Sequence, residues 1–466
     1  MDLHVDQTRT SRLRHRSRRR GLAVAAVAVV AVLAGACASS SDAKFSSVSG
    51  AINGGGDSSG SGSGGWSDCA APCSFEGDGS GATGGEEYAT EDAVGGPIAP
   101  APSTTATMDA GRTASEPAVT GPVTAGSVDD NLDWDEYLRY RQEFDAKGIT
   151  VEHITVEGRQ VFTVLDDGGA PVMGATIEVR DGAGTVVSTL KTYADGRALF
   201  HPPTTVDPNS QQRPRYTATI TKGSASEEVV LDPETRAYDV RLDAAPSDDA
   251  VALDVVFLID TTGSMGDEID RLKANISSMA EKISALPVAP DVRYGMTLYR
   301  DRGDLFETRT FDLTDDQAAF SDALDEVQAD GGGDTPEDLN AGLRDAIAQQ
   351  SWRGDDAVKL VFLVADAPPH LDYADSTSYA TTIVEAAARG IKVLPIGASG
   401  LDPQGEYVMR QLAQITLGRF VFLTYGVDGG PGDSTPMNVE RDQYSVLPLD
   451  ELVVKLVADE LEPLSR

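Results

Sequence analysis

Positive charge, cysteine and, over its first quarter, large apolar residues are all scarce in this chain. Lys and Arg number 38 against 74 Asp and Glu, for a formal net charge of -36. A surface that acidic repels nucleic acid and anionic lipid headgroups, stays soluble and attracts divalent cations, so nucleic acid is excluded as a partner. Three cysteines in 466 residues rule out a disulfide-dense scaffold. No cluster of thiolates and imidazoles is present, which removes the usual soft-metal and zinc chemistries. From Ala38 to about Asp129 the chain is Gly, Ser, Ala, Thr and Pro, as in the stretch 54–65. Such a segment cannot bury enough to offset its ordering entropy and reads as a disordered tether over 37–129. As a coil of about 90 residues it reaches roughly 50 Å.

The densest cluster of basic charge sits at the start. Residues 1–20 hold seven arginines against Asp2 and Asp6 and precede the uncharged run Gly21–Leu33. That run is short for a bilayer span and right for the h-region of a signal peptide. It ends in Leu33-Ala34-Gly35-Ala36-Cys37, which resembles a bacterial lipobox. The resemblance implies a lipoprotein signal peptide over 1–36, cleavage before Cys37 and acylation of that thiol. An uncleaved anchor, or ordinary cleavage at Ala34-Gly35-Ala36, stands as the alternative. On the lipobox reading the only attachment to a membrane is the lipid, and the mature chain lies in a bacterial cell envelope, facing outside the cytoplasm at the cell surface or in the periplasm. Assigning Cys37 to a lipid leaves Cys69 and Cys73 to close a small disulfide loop in an oxidising compartment, with a metal site or reactive thiols as the other readings.

After the tether, Asp130–Arg141 brings apolar and aromatic residues back at helical spacing, which predicts one short helix within 130–149 that packs onto the domains after it. Residues 150–245 then alternate in the manner of strands, punctuated by Asp167-Gly168-Gly169, Asp181-Gly182 and Asp195-Gly196. That spacing predicts a small, all-β antiparallel sandwich. The strings 169–179 and 192–200 resemble immunoglobulin-like, carboxypeptidase-regulatory-like or transthyretin-like sandwiches. No catalytic constellation appears there, and His153 and His201 read as surface or packing residues.

Beyond the acidic linker 244–249 strands alternate with helices, which predicts a doubly wound, mostly parallel α/β sheet over 251–466 with a C-terminal helix at 449–461. Its first strand, Val255–Ile259, reads as buried on both faces and stops at Asp260-Thr261-Thr262-Gly263-Ser264. Open α/β sheets bind ligands at that end of their strands. Three loops at this edge carry oxygen donors: Asp260, Thr262 and Ser264 on the first, Thr335 within Gly331-Gly332-Gly333-Asp334-Thr335-Pro336-Glu337 on the second, and Asp366 within Asp366-Ala367-Pro368-Pro369-His370 on the third. Hydroxyls with two carboxylates suit a hard cation, Mg²⁺ foremost, with Ca²⁺ or Mn²⁺ as alternatives.

These residues at these separations resemble the metal-ion-dependent adhesion site of a von Willebrand factor type A domain, a Rossmann-like fold. The likeness runs from about Ala252 to the C-terminal helix. It implies that Thr262, Ser264 and Thr335 bind the metal directly or through water, and that Asp260 and Asp366 bind directly or accept from bound water. It further implies a non-enzymatic module whose cation takes an Asp or Glu carboxylate from a protein partner. Asp334 is a candidate to orient the site or to close the loop. Thr335, followed by Pro336 at N1 and an acidic residue, is also a good helix cap. A phosphohydrolase of the haloacid dehalogenase type would carry a second carboxylate two residues after its nucleophile. Here that position is Thr262, so its acid/base group is missing. A structural surface protein with a vestigial site is a third reading. His370 has no nucleophile beside it in sequence and reads as loop packing, while Arg302-Gly303-Asp304 reads as a connecting turn.

Overall fold

The computed structural model describes residues 123–203, 215–244, 251–333, 335–424 and 444–465, apart from the side chain of Asp267. The signal region 1–36, Cys37, Cys69, Cys73, most of the tether, Asp334 and the Gly/Pro-rich stretch 426–437 lie outside the described residues.

Fifteen strands and seven helices follow in chain order among the described residues: β1 Thr124–Val128, α1 Trp134–Asp145, β2 Gln160–Leu165, β3 Thr176–Arg180, β4 Val186–Lys191, β5 Arg197–Phe200, β6 Tyr216–Lys222, β7 Ala225–Leu231, β8 Ala237–Arg241, β9 Ala252–Asp260, α2 Gly266–Ser284, β10 Asp291–Tyr299, β11 Thr308–Thr314, α3 Gln317–Asp325, α4 Leu339–Ala348, β12 Ala357–Ala365, α5 Tyr379–Ala388, β13 Ile391–Gly397, α6 Pro403–Ile415, β14 Phe420–Thr424, β15 Leu447–Pro448 and α7 Leu449–Leu461.

The large sheet runs β11-β10-β9-β12-β13-β14-β1-β15. Its middle, from β10 to β14, is parallel, and β11, β1 and β15 are antiparallel additions at the two sides. The alternation of side chains along a strand explains why β9 is apolar throughout. Val255, Phe257 and Ile259 pack with α2, α3 and α7 on one face. Val256 and Leu258 pack with α4, α5 and α6 on the other. Asp254 is the polar exception inside the strand, fully buried and held by Arg293 Nε and Nη2 at 2.9 and 2.8 Å, and Asp260 is the polar residue that ends it. Parallel strands in this order place the C-terminal ends of β9 and β12 side by side, the position at which a doubly wound sheet presents ligand-binding loops.

Two corrections concern the part before β9. Residues 124–128, inside the range expected to be tether, form β1 and pair with β14 from Thr124↔Thr424 to Val128↔Phe420. The stretch TAGSV reads as linker because its residues are small, and small is what this slot requires. A Cβ on Gly126 would stand 2.5 Å from Phe422 Cζ and 2.6 Å from Tyr444 Cδ2. The second correction concerns strand direction. Residues 160–241 form a three-stranded sheet, β5-β2-β8, and a four-stranded sheet, β4-β3-β6-β7, which share one buried cluster including Phe162, Phe200, Ile177 and Ile220. Pairing is antiparallel except that β2 and β8 run parallel.

The short helix α1 packs on α6 through Phe144, whose ring centroid is 3.9 Å from that of Tyr407. Arg410 of α6, fully buried, bonds Asp130 at 2.9 and 2.5 Å and lies 3.7 Å from the Tyr140 ring. The β-layered part rests on the large sheet through Lys191–Asp355 at 2.8 Å and Lys222–Asp356 at 2.6 Å. No helix among the described residues is long and apolar enough to cross a membrane.

Candidate functional site

Asp260 is the last residue of β9 and is fully buried. Leaving the strand, Thr262 keeps an extended backbone (φ -71°, ψ 165°) before a 3-10 turn, Gly263–Met265, leads into α2. That short exit folds Thr262 back so that its N–H and its hydroxyl both donate to Asp260 Oδ1, at 3.0 and 2.7 Å. The Ser264 hydroxyl lies 3.4 Å from that of Thr262. Three of the five expected donors are thereby gathered on one turn.

The second loop is laced onto the first. Gly263 N donates to Gly331 O at 3.1 Å and Asp330 N to Thr261 O at 3.1 Å. Gly332, at φ +64°, passes so close that a Cβ there would stand 2.9 Å from Glu337 Oε1 and 3.2 Å from Thr262 Cβ. Gly331, at φ +82° with a Cβ position 2.5 Å from the Asp304 carboxylate, and Gly332 thus serve close approach in a left-handed backbone. The third loop is laced to the second: Glu337 N donates to Pro368 O at 3.1 Å and His370 N to Glu337 O at 3.0 Å. Thr335 sits exposed between these two sets of bonds, at a cis peptide to Pro336. It is not a helix cap: α4 begins at Leu339 and is capped by Asp338, whose Oδ1 accepts Ala341 N at 3.0 Å. Asp366 completes the cluster, half-buried at the end of β12, close enough for its charge to act on Asp260.

The electrostatics follow from burial without compensation. Asp260 Oδ2 and Asp366 Oδ1 are both buried and reach no hydrogen-bond partner. Burial pushes the Asp260 carboxyl up to about 7, against the two Thr262 bonds and a weaker pull from the Tyr299 hydroxyl, with the charge of Asp366 adding to the rise. Burial also raises Asp366, which Ser264 opposes and Glu268 reinforces. Two carboxylate oxygens without partners beside two hydroxyls form an oxygen-only donor set, and a hard divalent cation would satisfy it. Among the described residues no group of three or more His, Cys, Asp or Glu is placed to hold a metal. A site built mainly of hydroxyls has no such group to show.

Sequence reasoning passed over Tyr299 and Glu268. Tyr299 ends β10, its register partner on β9 is Asp260, and its buried hydroxyl is raised well above its ordinary range by burial and by Asp260, Asp366 and Glu337. Only the parallel register, invisible in a linear reading, puts it there. Glu268, in the first turn of α2, accepts from Ser399 at 2.7 Å. His370 stacks on Tyr373 with ring centroids 4.0 Å apart and bonds Asp372 through Nδ1 at 2.7 Å, which is loop packing. The turn Arg302-Gly303-Asp304 is committed internally: Asp304 accepts Gly332 N at 2.9 Å, and Arg302 bonds Asp338 and Asp375 at 3.2 and 2.7 Å.

A doubly wound sheet bearing an aspartate-hydroxyl turn that two further loops close over defines a class, and known proteins agree with it. Residues 254–424 match the von Willebrand factor type A domain family, and the chain contains such a domain. The chain is similar to the alpha-protein kinase vwkA of Dictyostelium discoideum, 30% identical over 139 residues that make up 29% of this chain and 22% of that protein. It is also similar to von Willebrand factor A domain-containing protein 7 of Rattus norvegicus, 32% identical over 137 residues, 29% of this chain and 14% of the relative. The chain therefore spans less than a quarter of either relative. Among solved structures it is similar to the pilus adhesin SpaC of Lactobacillus rhamnosus GG, with a TM-score of 0.31 and 13% identity over 53% of this chain and 32% of that one. At that score the likeness supports no argument about function.

Proposed function

We propose that the domain at 251–466 is a non-enzymatic, metal-dependent binding module of the adhesion type. Asp260, Thr262, Ser264, Thr335 and Asp366 would hold one hard divalent cation, Mg²⁺ before Ca²⁺ or Mn²⁺, directly or through water, with Asp334 as a candidate to orient the loop. When bound, the cation supplies an electrophilic open position for an Asp or Glu carboxylate of a protein partner. The chain's own part is to fix the donors. Thr262 holds Asp260 by two bonds, and the interlaced loops would bring Thr335 and Asp366 to the same ion. The carrying observation is the pair of buried carboxylate oxygens, Asp260 Oδ2 and Asp366 Oδ1, that lack partners next to the hydroxyls of Thr262 and Ser264. We further propose that the chain is a bacterial lipoprotein anchored through Cys37, with Cys69 and Cys73 joined, and that an Ig-like or carboxypeptidase-regulatory-like sandwich at 150–245 serves as a structural layer beneath the domain.

Titration calorimetry of Mg²⁺ into the full chain should show one site, absent in Asp260→Ala. Capture of envelope proteins on immobilised chain should then require Mg²⁺ and fail in EDTA. Partner capture indifferent to both the chelator and the substitution would end the proposal.

A further inference from the structure

Between α1 and the edge of the β-layered part lies a second cleft, enclosing about 360 Å³ and sharing no residue with the three loops. Its walls are mainly apolar, including Trp134, Leu138, Val156 and Val161, and its charged lining is Arg159, Arg236 and Glu157. In a chain with a net charge of -36, two guanidiniums on one small apolar cleft are a local inversion of sign. Glu157, whose Oε2 accepts the Val156 N–H at 3.2 Å, offsets one of them, and two guanidiniums against one carboxylate leave the lining a net single positive charge.

Arg159 is the telling residue. Its guanidinium carbon lies 4.1 Å from the centre of the Trp134 ring, and Nη2 donates to Asn131 O at 3.4 Å. Nη1 is buried and has no hydrogen-bond partner. Burial and the nearby Arg197 lower its pKa to about 10 against the charge of Asp129, so its surroundings compensate the charged form only in part. A planar guanidinium offers paired N–H donors in the geometry of a carboxylate, and a buried donor left unmade is a cost that a bound anion removes.

We propose that this cleft is a ligand site for a carboxylate carried on an apolar, preferably aromatic, group. Arg159 would take the carboxylate by turning Nη1, shut off from solvent in the unliganded chain, into the cleft, Arg236 would add positive charge at the mouth, and Trp134, Leu138 and Val161 would cover the apolar body. A cleft of this size holds a small aromatic acid or one aromatic residue of a peptide ending in a free carboxylate.

The probe is N-acetyl-phenylalanine with its free carboxylate, titrated into the full chain beside its amide and inorganic phosphate. In EDTA, so that the metal loops take no part, the carboxylate should bind and raise the melting temperature. The amide and phosphate should bind at least tenfold more weakly, and Arg159→Gln should lose the response. Because Arg159 is partly structural, Arg236→Gln, at an exposed position, is the second variant and should weaken binding about three- to tenfold with an unchanged melting temperature. A free dipeptide, phenylalanyl-phenylalanine, binding more tightly than the single residue would identify a peptide C-terminus as the source, whereas equal or weaker binding would identify a small acid. No binding by the carboxylate at 10 mM, equal binding by the amide or by phosphate, or binding untouched in both variants would overturn the assignment.

Discussion

Asp260 keeps one oxygen on two bonds from Thr262 and leaves the other buried and bare, and that asymmetry sets opposite behaviours with and without cation. Its folded pKa of about 7 lies above the ordinary 3.8. A raised carboxyl contributes stability that is complete below the unfolded value and lost as pH rises through the folded one. With chelator present, ionised Asp260 therefore costs as much as about 4 kcal/mol at pH 8. Asp260→Asn should melt several degrees above the parent in EDTA at pH 8, yet gain nothing from Mg²⁺, which should stabilise the parent. A variant that melts lower in EDTA, or that still responds to Mg²⁺, would contradict this account. His201 carries the opposite sign. Burial, Arg159 and Arg141 push it down to about 3, so the fold holds it neutral. Its contribution is present above the unfolded value of 6.5 and lost as pH falls towards 3, about 2 kcal/mol by pH 5. His201→Gln should flatten the fall in melting temperature between pH 7 and 5, measured in EDTA to keep the metal loops silent.

Elements differ in how far their neighbours decide them. Gly332 lies in a loop, and its approach to Thr262 and Glu337 shapes the site more than the core. Gly332→Ala, at φ +64° and with a Cβ 2.9 Å from Glu337 Oε1, should weaken Mg²⁺ binding about tenfold while moving the urea midpoint little. Equal Mg²⁺ isotherms for parent and variant would show that the loop yields without consequence. β9 and β12 announce themselves in the sequence because burial on both faces demands apolar residues at nearly every position, Asp254 and Lys359 excepted within the strands, and the turn Asp260–Ser264 is legible because its chemistry is local. β1 is not legible, since Gly126 and its small neighbours have no pattern of their own. They become a strand only because Thr124–Val128 find β14 on one side and β15 on the other. Tyr299 and Glu268 escape for a related reason, because register and helix phase bring them to the site from separate stretches. The start of α4 is the converse case. Thr335-Pro336 has the letters of a cap, but the bonds from Glu337 to Pro368 and His370 hold that stretch off the helix and pass the cap to Asp338.

At the scale of the whole molecule, the von Willebrand factor type A domain is not self-contained between 251 and 466. β1 supplies the strand between β14 and β15, and Asp130, arriving with it, neutralises Arg410 in the middle of α6. Burying that guanidinium is tolerable only with its carboxylate, since removing one partner of a buried pair leaves a charge that costs about 3–5 kcal/mol. Glu406 stays within 3.2 Å of Arg410 and tempers the loss, so Asp130→Ala should destabilise by about 3 kcal/mol in urea unfolding. A fragment beginning at residue 251 loses the strand, the aspartate and the α1 packing on Tyr407 together. Compared with a fragment beginning at 123, it should melt at least 10 °C lower or fail to fold, with Mg²⁺ affinity falling in step because α6, which loses Asp130 and α1, flanks the third loop where Gly405 meets Pro368. If the two fragments unfold at the same temperature and bind Mg²⁺ alike, β1 and Asp130 are decoration on an autonomous domain. If they differ as expected, the segment that reads as the end of a tether is part of the scaffold that holds the three site loops in place.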